Sequence, residues 1–267
     1  VSVHPTAVIE AGARLGQGVT VGPLAVIGND VTVGDGCWIG PHATILDHVR
    51  LGANCRVHSN AVLGDFPQDL KFRDVPSYVE IGPDSVIREG VTVHRGTHEN
   101  SSTVLGRGCF LMANSHVAHN VRLGDFVIMA NGALLAGDVQ VGDRAFVSGN
   151  AVVHQFTRIG ALAMISGNAG VGKDVLPYCT VAGVRRNVVA GLNVVGMRRA
   201  GFSPADRIMV KRAFDIVFRS GLNIRQALER LRAECDSGPA AAWIPFVEQS
   251  RRGICTLRGD SDADGGE

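Results

Sequence analysis

Every sixth residue of this chain is aliphatic over most of its length. The frame starts at Val3 and runs through Ile9, Leu15, Val21, Ile27 and Val33. It continues past Leu63, Ile81, Leu105, Val117 and Leu135 to Val171. Of its 29 positions, 27 are aliphatic or Met, the exceptions being Asp69 and Glu99. Glycine often follows the frame residue, as at Gly16, Gly22, Gly28 and Gly34. A small or β-branched residue lies four places on, as at Ala7, Ala25, Val31 and Cys37. A period of six matches neither an amphipathic helix nor a plain alternating strand. It fits short strands joined by tight corners, with one inward aliphatic per face and three hexads per coil. The pattern therefore predicts an all-β parallel β-helix over residues 1–184, of about nine coils at a strand spacing of ~4.8 Å.

Two stretches break the frame. Residues 64–80 lose the repeat and rejoin it at Ile81, which predicts a loop thrown out from one corner. That loop carries Asp69, Lys71, Arg73 and Asp74 beside Phe66 and Phe72. It reads either as a solvated charged segment or as a functional loop on a rigid scaffold. Residues 98–103 form a shorter polar excursion.

The hexads fade after Val175, and a small α-helical C-terminal domain is expected over 185–258. Ser203-Pro204-Ala205-Asp206 is a helix start, with Ser as cap, Pro in the first turn and an acid at the capping-box place. Ile208, Val210, Ala213, Phe214 and Val217 follow at helical spacing, and Gly221 suits the stop. Leu222, Ile224, Ala227, Leu228 and Leu231 predict a second helix, and 239–250 a third. The acidic, glycine-rich residues 259–267 read as a disordered tail.

Composition follows from this architecture. Glycine makes up 34 of 267 residues and aromatics only 5%, as tight corners and a narrow interior require. A hydrophobic content of 45% excludes a disordered chain. No apolar run approaches the ~18 residues of a membrane span. The first residues show neither a basic nor an apolar targeting region, so a cytoplasmic protein is expected. The six cysteines have no metal-finger spacing and read as small buried residues in a reducing compartment, with no metal site expected.

The net charge of +1 is an average. Residues 1–184 carry −3, residues 185–232 carry +8 and residues 233–267 carry −4. The middle segment is a basic belt. It is either an ordinary solvated helical face or a surface that captures a phosphate-bearing ligand or an acidic protein. Nucleic acid fits least, because no aromatic stacking platform is interleaved with the charges.

None of the nine histidines falls on the inward frame, so all are expected at corners or outward faces. His116 and His119 flank the inward Val117. On residue type alone a surface role, a catalytic base and a metal ligand all remain open.

Several local motifs then carry a resemblance over nearly the whole chain. They are VHPTAVIE at 3–10, QDLKF at 68–72, VTVHRGT at 91–97, HVAHN at 116–120, AVVHQF at 151–156 and GMRRAGFS at 196–203. Together they resemble the UDP-N-acetylglucosamine O-acyltransferases that begin lipid A synthesis. The resemblance implies a left-handed coil and a homotrimer with sites between prisms. It implies transfer of a (3R)-3-hydroxyacyl chain from acyl carrier protein to the 3-position of UDP-N-acetylglucosamine. No cofactor is implied, since the acyl-phosphopantetheine on the carrier is a substrate.

By resemblance, His119 matches the general base and Gly137 the backbone N–H that stabilises the oxyanion. Asp69 and His116 match sugar contacts, and Lys71 a position on the acyl path. His154 and Gln155 match the nucleotide and acyl cleft, Asn193 and Arg199 the uridine-diphosphate contacts. Gly167 matches the acyl-length ruler, where a glycine implies a long chain.

Three positions depart from the family pattern. Asn120 replaces an Asp beside the base and so removes an orienting partner. Asp138 replaces a sugar-contacting His and suits a hydroxyl or an amine. Ala200 replaces the second Arg of a pair, which here stands at Arg198-Arg199. The alternatives are transfer onto a 3-amino sugar nucleotide, the later N-acyltransferase of the pathway, and a non-catalytic or zinc-dependent hexapeptide trimer. The N-acyltransferase carries an extra N-terminal domain, which is not expected here because the hexads already start at Val3.

Overall fold

The computed structural model describes residues 1–183 and 187–257. The expected domain boundary at 184/185, Arg185 and Arg186 of the basic belt, and the tail 259–267 lie outside the described residues.

From Ser2 to Val171 the chain winds through strands of two to four residues. These assort in turn into three parallel sheets. The first sheet begins with Ser2–Val3 and Thr20–Val21, the second with Val8–Ile9 and Val26–Ile27, the third with Arg14–Leu15 and Thr32–Val33. Each strand pairs with the one 18 residues on, as in Val3 with Val21. The frame aliphatics point inward: Ile27, Ile39, Ile45, Leu63, Leu111 and Leu135 are fully buried. The residues four places on close the corners, with Ala25, Val31, Ala43 and Cys55 equally enclosed. Burying two apolar residues per hexad is the main stabilising term of the coil. All six cysteines are free and buried, as their reading as small core residues expects.

The frame breaks are whole inserted hexads. Pairing jumps to 30 residues across the first break, as in Arg56 with Val86. It is 24 residues across the second, as in Thr92 with His116. Insertions of twelve and six residues preserve the phase of the repeat. Val75 therefore keeps the frame by arithmetic alone, and sits in the loop rather than in a strand.

That loop is tied down through a buried arginine. Arg95, 5% exposed, donates to Asp74 Oδ1 at 2.5 Å and to the Val75 carbonyl at 3.2 Å. Its guanidinium lies 4.7 Å from the Phe66 ring centre and 5.5 Å from that of Phe72. Ser77 Oγ donates to the Gly96 carbonyl at 2.7 Å. The charged residues and the two rings thus form one anchored unit.

Beyond the coil, strand Cys179–Val181 pairs antiparallel with Val188–Leu192, and Thr256–Leu257 adds to the latter in parallel. The helices are α1 (Val194–Arg199), α2 (Pro204–Phe218), α3 (Ile224–Glu234) and α4 (Trp243–Glu248), the last preceded by a 3-10 turn at Gly238–Ala242. Helix α1 has no counterpart in the sequence reading. Helix α2 starts at the expected capping box of Ser203 and Asp206, and α3 at a second box of Asn223 and Gln226. Gly221, at φ +71°, turns the chain between them. Trp243 is fully buried and meets the rings of Phe214 and Phe218 at 6.4 and 6.1 Å. Arg158 joins the coil to the helices, donating to the Phe246 carbonyl at 3.1 Å with its guanidinium 4.1 Å from that ring's centre. Among the described residues no helix is long and apolar enough to cross a membrane.

Much of the basic belt is paired. Arg212 and Arg230 share Glu234, Arg219 pairs with Asp215, Arg225 with Glu229 and Arg232 with Glu248. Arg198, Arg199 and Lys211 have no ion pair among the described residues.

Candidate active site

His119 occupies the corner between the second and third sheets, after strand His116–Val117 and before Arg122–Leu123. Gly137 and Asp138 sit at the same corner one coil on. The Asp138 N–H donates to the His119 carbonyl at 3.0 Å, and the Phe156 N–H to the Gly137 carbonyl at 3.0 Å. His119, Gly137 and Gln155 therefore form one column, and Asn120, Asp138 and Phe156 the next.

The imidazole of His119 lies against Gly137. A Cβ added there would collide with its Cε1 and Nε2. The glycine thus seats the ring. Among the described residues no acceptor takes the Gly137 N–H. The His119 Nδ1 atom is enclosed without a hydrogen-bond partner. The carboxylate of Asp138 comes nearest, Oδ2 standing 3.9 Å from it.

Asn120 faces another way. Its Oδ1 accepts the Thr97 N–H at 3.0 Å, and its Nδ2 donates to Thr97 Oγ1 at 2.8 Å. Its φ of +59° belongs to the left-handed region that Asn adopts more readily than most residues. Position 120 thus fastens Thr97, the residue before the 98–103 excursion, to the corner and does not orient His119.

Two more histidines border the site. His116 shares a 2.7 Å hydrogen bond with Thr92 Oγ1. Burial, reinforced by His94 and His119, pushes its pKa down to about 4. His94 meets His116 edge-on, ring centres 4.9 Å apart. It is only 5% exposed, which corrects the expectation that every histidine lies at a corner or outward face. The reason is a register irregularity between Leu63 and Asp65, which pairs Asp65 with His94 beneath the inserted loop. Burial also pushes the His94 pKa down. Both imidazoles are thereby held neutral near pH 7.

A family described as UDP N-acetylglucosamine O-acyltransferase, domain 2, matches residues 174–255, and bacterial transferase hexapeptide repeats match residues 30–65 and 102–137. The chain is 44% identical over 255 residues to the acyl-[acyl-carrier-protein]–UDP-N-acetylglucosamine O-acyltransferase of Anaeromyxobacter sp. (strain Fw109-5), covering 95% of this chain and 99% of that one. The chain belongs to the UDP-N-acetylglucosamine O-acyltransferase family. The fold agrees: the Francisella novicida UDP-N-acetylglucosamine acyltransferase superposes with a TM-score of 0.93 at 33% identity, over 97% of this chain and 96% of that one. The Campylobacter jejuni UDP-N-acetylglucosamine acyltransferase gives 0.90 at 36% identity, over 96% of this chain and 100% of that one.

The other positions matched to this acyltransferase family scatter over the single chain. Asp69 and Lys71 line a cavity of about 330 Å³ with Thr97 and His98. His98 also borders a larger cavity of about 900 Å³, which includes Asn120, Asp138, Phe156 and the cations Arg122, Arg158, Arg251 and Arg252. The Asp69 side chain accepts the Lys71 N–H at 2.8 Å and so shapes the loop. His154 and Gln155 are exposed above His119.

Gly167 stands at the opposite edge of the second sheet, where an added Cβ would meet only the Gly149 carbonyl, at 3.4 Å. Asn193 caps α1, its Oδ1 accepting the Gly196 N–H and its Nδ2 donating to the Leu162 carbonyl, both at 2.8 Å. Arg199 ends the same helix. The sequence motifs assign no role to His94, Arg95 or Thr97. The signal for the first two was their place in VTVHRGT, next to an inward frame residue and opposite an inserted loop.

Proposed function

We propose that this acyl-carrier-dependent UDP-N-acetylglucosamine O-acyltransferase, the first enzyme of lipid A synthesis, runs its reaction at the His119 corner. His119 takes the proton of the sugar 3-hydroxyl as that oxygen attacks the thioester carbon of a (3R)-3-hydroxyacyl group on acyl carrier protein. Negative charge collects on the former carbonyl oxygen, and the unengaged Gly137 N–H donates to it. The intermediate collapses to the ester. The carrier thiolate leaves and recovers a proton from His119. The supporting observation is the seating of the imidazole directly on Gly137, which puts base and free amide side by side. Replacing His119 by Ala should lower the transfer rate by about 10²–10⁴-fold, the usual contribution of a general base, with the fold intact. Full activity in that variant would reject the assignment.

His116 and Asp69 are assigned to the sugar, Lys71, His154 and Gln155 to the acyl and nucleotide path, and Asn193 and Arg199 to the diphosphate end. Arg198, Arg199 and Lys211, without an ion pair among the described residues, suit a phosphate or the acidic carrier. Gly167 leaves the far edge of the second sheet open, which favours a long acyl chain; Gly167→Met should shorten the preferred chain in a thioester panel. Comparing UDP-N-acetylglucosamine with its 3-amino analogue in the same assay separates ester from amide formation.

A homotrimer would bring the loop of one copy to the corner of another. It is supported by exposed Leu134 and Val152 on the second-sheet face that also carries His116. A solution mass about three times 28.1 kDa is expected. The six buried free thiols support a cytoplasmic setting.

A further inference from the structure

We propose that Asp138 is the positioning residue of His119. Its carboxylate holds a hydrogen on Nδ1, so that Nε2 presents its lone pair to the acceptor hydroxyl. This rests on the assignment of His119 as the base.

Three observations carry it. First, His119 Nδ1 is enclosed and has no hydrogen-bond partner, a costly state for a buried polar atom. Second, Asp138 Oδ2 stands 3.9 Å from that atom. This is beyond a hydrogen bond, yet a modest side-chain rotation closes it, and catalytic contacts are commonly long before substrate binds. The spacing is fixed from below, since the Asp138 N–H donates to the His119 carbonyl. Third, the neighbour in sequence that could have done this work is committed elsewhere, both ends of the Asn120 amide being bonded to Thr97.

The other groups facing the ring do not compete. His94 and His116 approach from the second sheet, and burial holds both neutral. Asp65 lies beyond His94 and acts on that ring. Gly137 offers a flat floor and no side-chain polar atom. Asp138 also adopts φ +61° at its corner, which Asp tolerates better than most residues. The departure at 120 and the departure at 138 then become one change: the carboxylate that serves the base comes from the next coil.

The unmodified full chain, labelled with ¹⁵N-histidine, gives the first test. In its neutral form the His119 ring should carry its hydrogen on Nδ1. The opposite tautomer overturns the proposal. The second test uses Asp138→Asn and Asp138→Gly, both of which suit the left-handed corner. Each should lose the fixed tautomer and lower kcat about tenfold, a fraction of the ~10²–10⁴ a general base supplies. KM for the sugar nucleotide should stay within about twofold, because uniform substrate binding is untouched. A raised KM with unchanged kcat and tautomer would make Asp138 a sugar contact and overturn the proposal. His119→Ala separates the two levels. An active His119→Ala enzyme removes the base assignment itself, whereas an inactive one beside undiminished Asp138 variants removes only the role of Asp138.

Discussion

At the corner between the third and first sheets, acidic side chains reach back one coil. Asp35 Oδ1 accepts the Gln17 N–H at 2.7 Å, Asp125 the Arg107 N–H at 2.9 Å, and Asp143 the Asp125 N–H at 2.9 Å. At the corner between the second and third sheets, the corresponding place one coil above His119 is Gly137, and the one above that is Gln155. There, among the described residues, the ladder of carboxylate caps is absent. An imidazole rests on the glycine instead, with the amide left open. The backbone path is the same at both corners, and left-handed residues recur at both, such as Asn54 and Asp84 at one and Asn120 and Asp138 at the other. A corner whose amides are capped contributes stability. One whose amide is left open gives up that hydrogen bond and gains a donor for a developing charge.

The largest effect expected from erasing this difference is at Gly137. Gly137→Ala should displace the His119 ring and cut kcat about 10²-fold, as misplacing a catalytic group by ~1 Å does. Melting temperature should change little, and a near-normal kcat would show that the ring seat is dispensable. Arg95→Met tests whether the loop at the functional corner needs its anchor. KM for UDP-N-acetylglucosamine should rise about tenfold, roughly the ~1.4 kcal/mol of a lost positioning contact, with a smaller change in kcat. An unchanged KM would mean that the loop holds its shape without the guanidinium.

His116→Gln probes the half-buried imidazole that packs on His94. His116 is neutral in the fold with a pKa of about 4, below the ordinary histidine value. As pH falls the unfolded chain takes up the proton first. The stability is thus complete above about pH 6.5 and is lost progressively toward about pH 4. The variant should flatten the fall of melting temperature across that window; an equally steep fall would assign it to other groups. The smallest effect is at the capped corner. Asp143→Ala should cost about 1 kcal/mol in urea unfolding, one hydrogen bond's worth, and leave kcat and KM as they were. A large loss of activity there would erase the distinction between the corners.

The two corners were unequally legible. The capped one follows from local rules: an aliphatic, a glycine, an acid or amide at a left-handed turn. The coil, its two insertions and the capping box at Ser203 are likewise written in short spacings. Asn120 and His94 were not legible in this way. Adjacency to the base suggested that position 120 had lost a partner, yet its amide is turned across the corner onto Thr97. The hexad rule places the residue after Val93 outward, yet the inserted loop covers it. Asp138 shows the same limit, since it meets His119 only because the coil brings residues 18 or 19 apart into contact.

The sequence by itself determined the three-sided coil, the lengths of its interruptions and, through resemblance, the reaction. These are set by each residue's own conformational range and by whether it points in or out, and both repeat every six residues. The tertiary structure alone decided which histidine is buried, how Arg95 ties the loop, and which carboxylate faces the base. Those depend on neighbours in the stack, one full coil away, and no local spacing records which side chain will turn toward them.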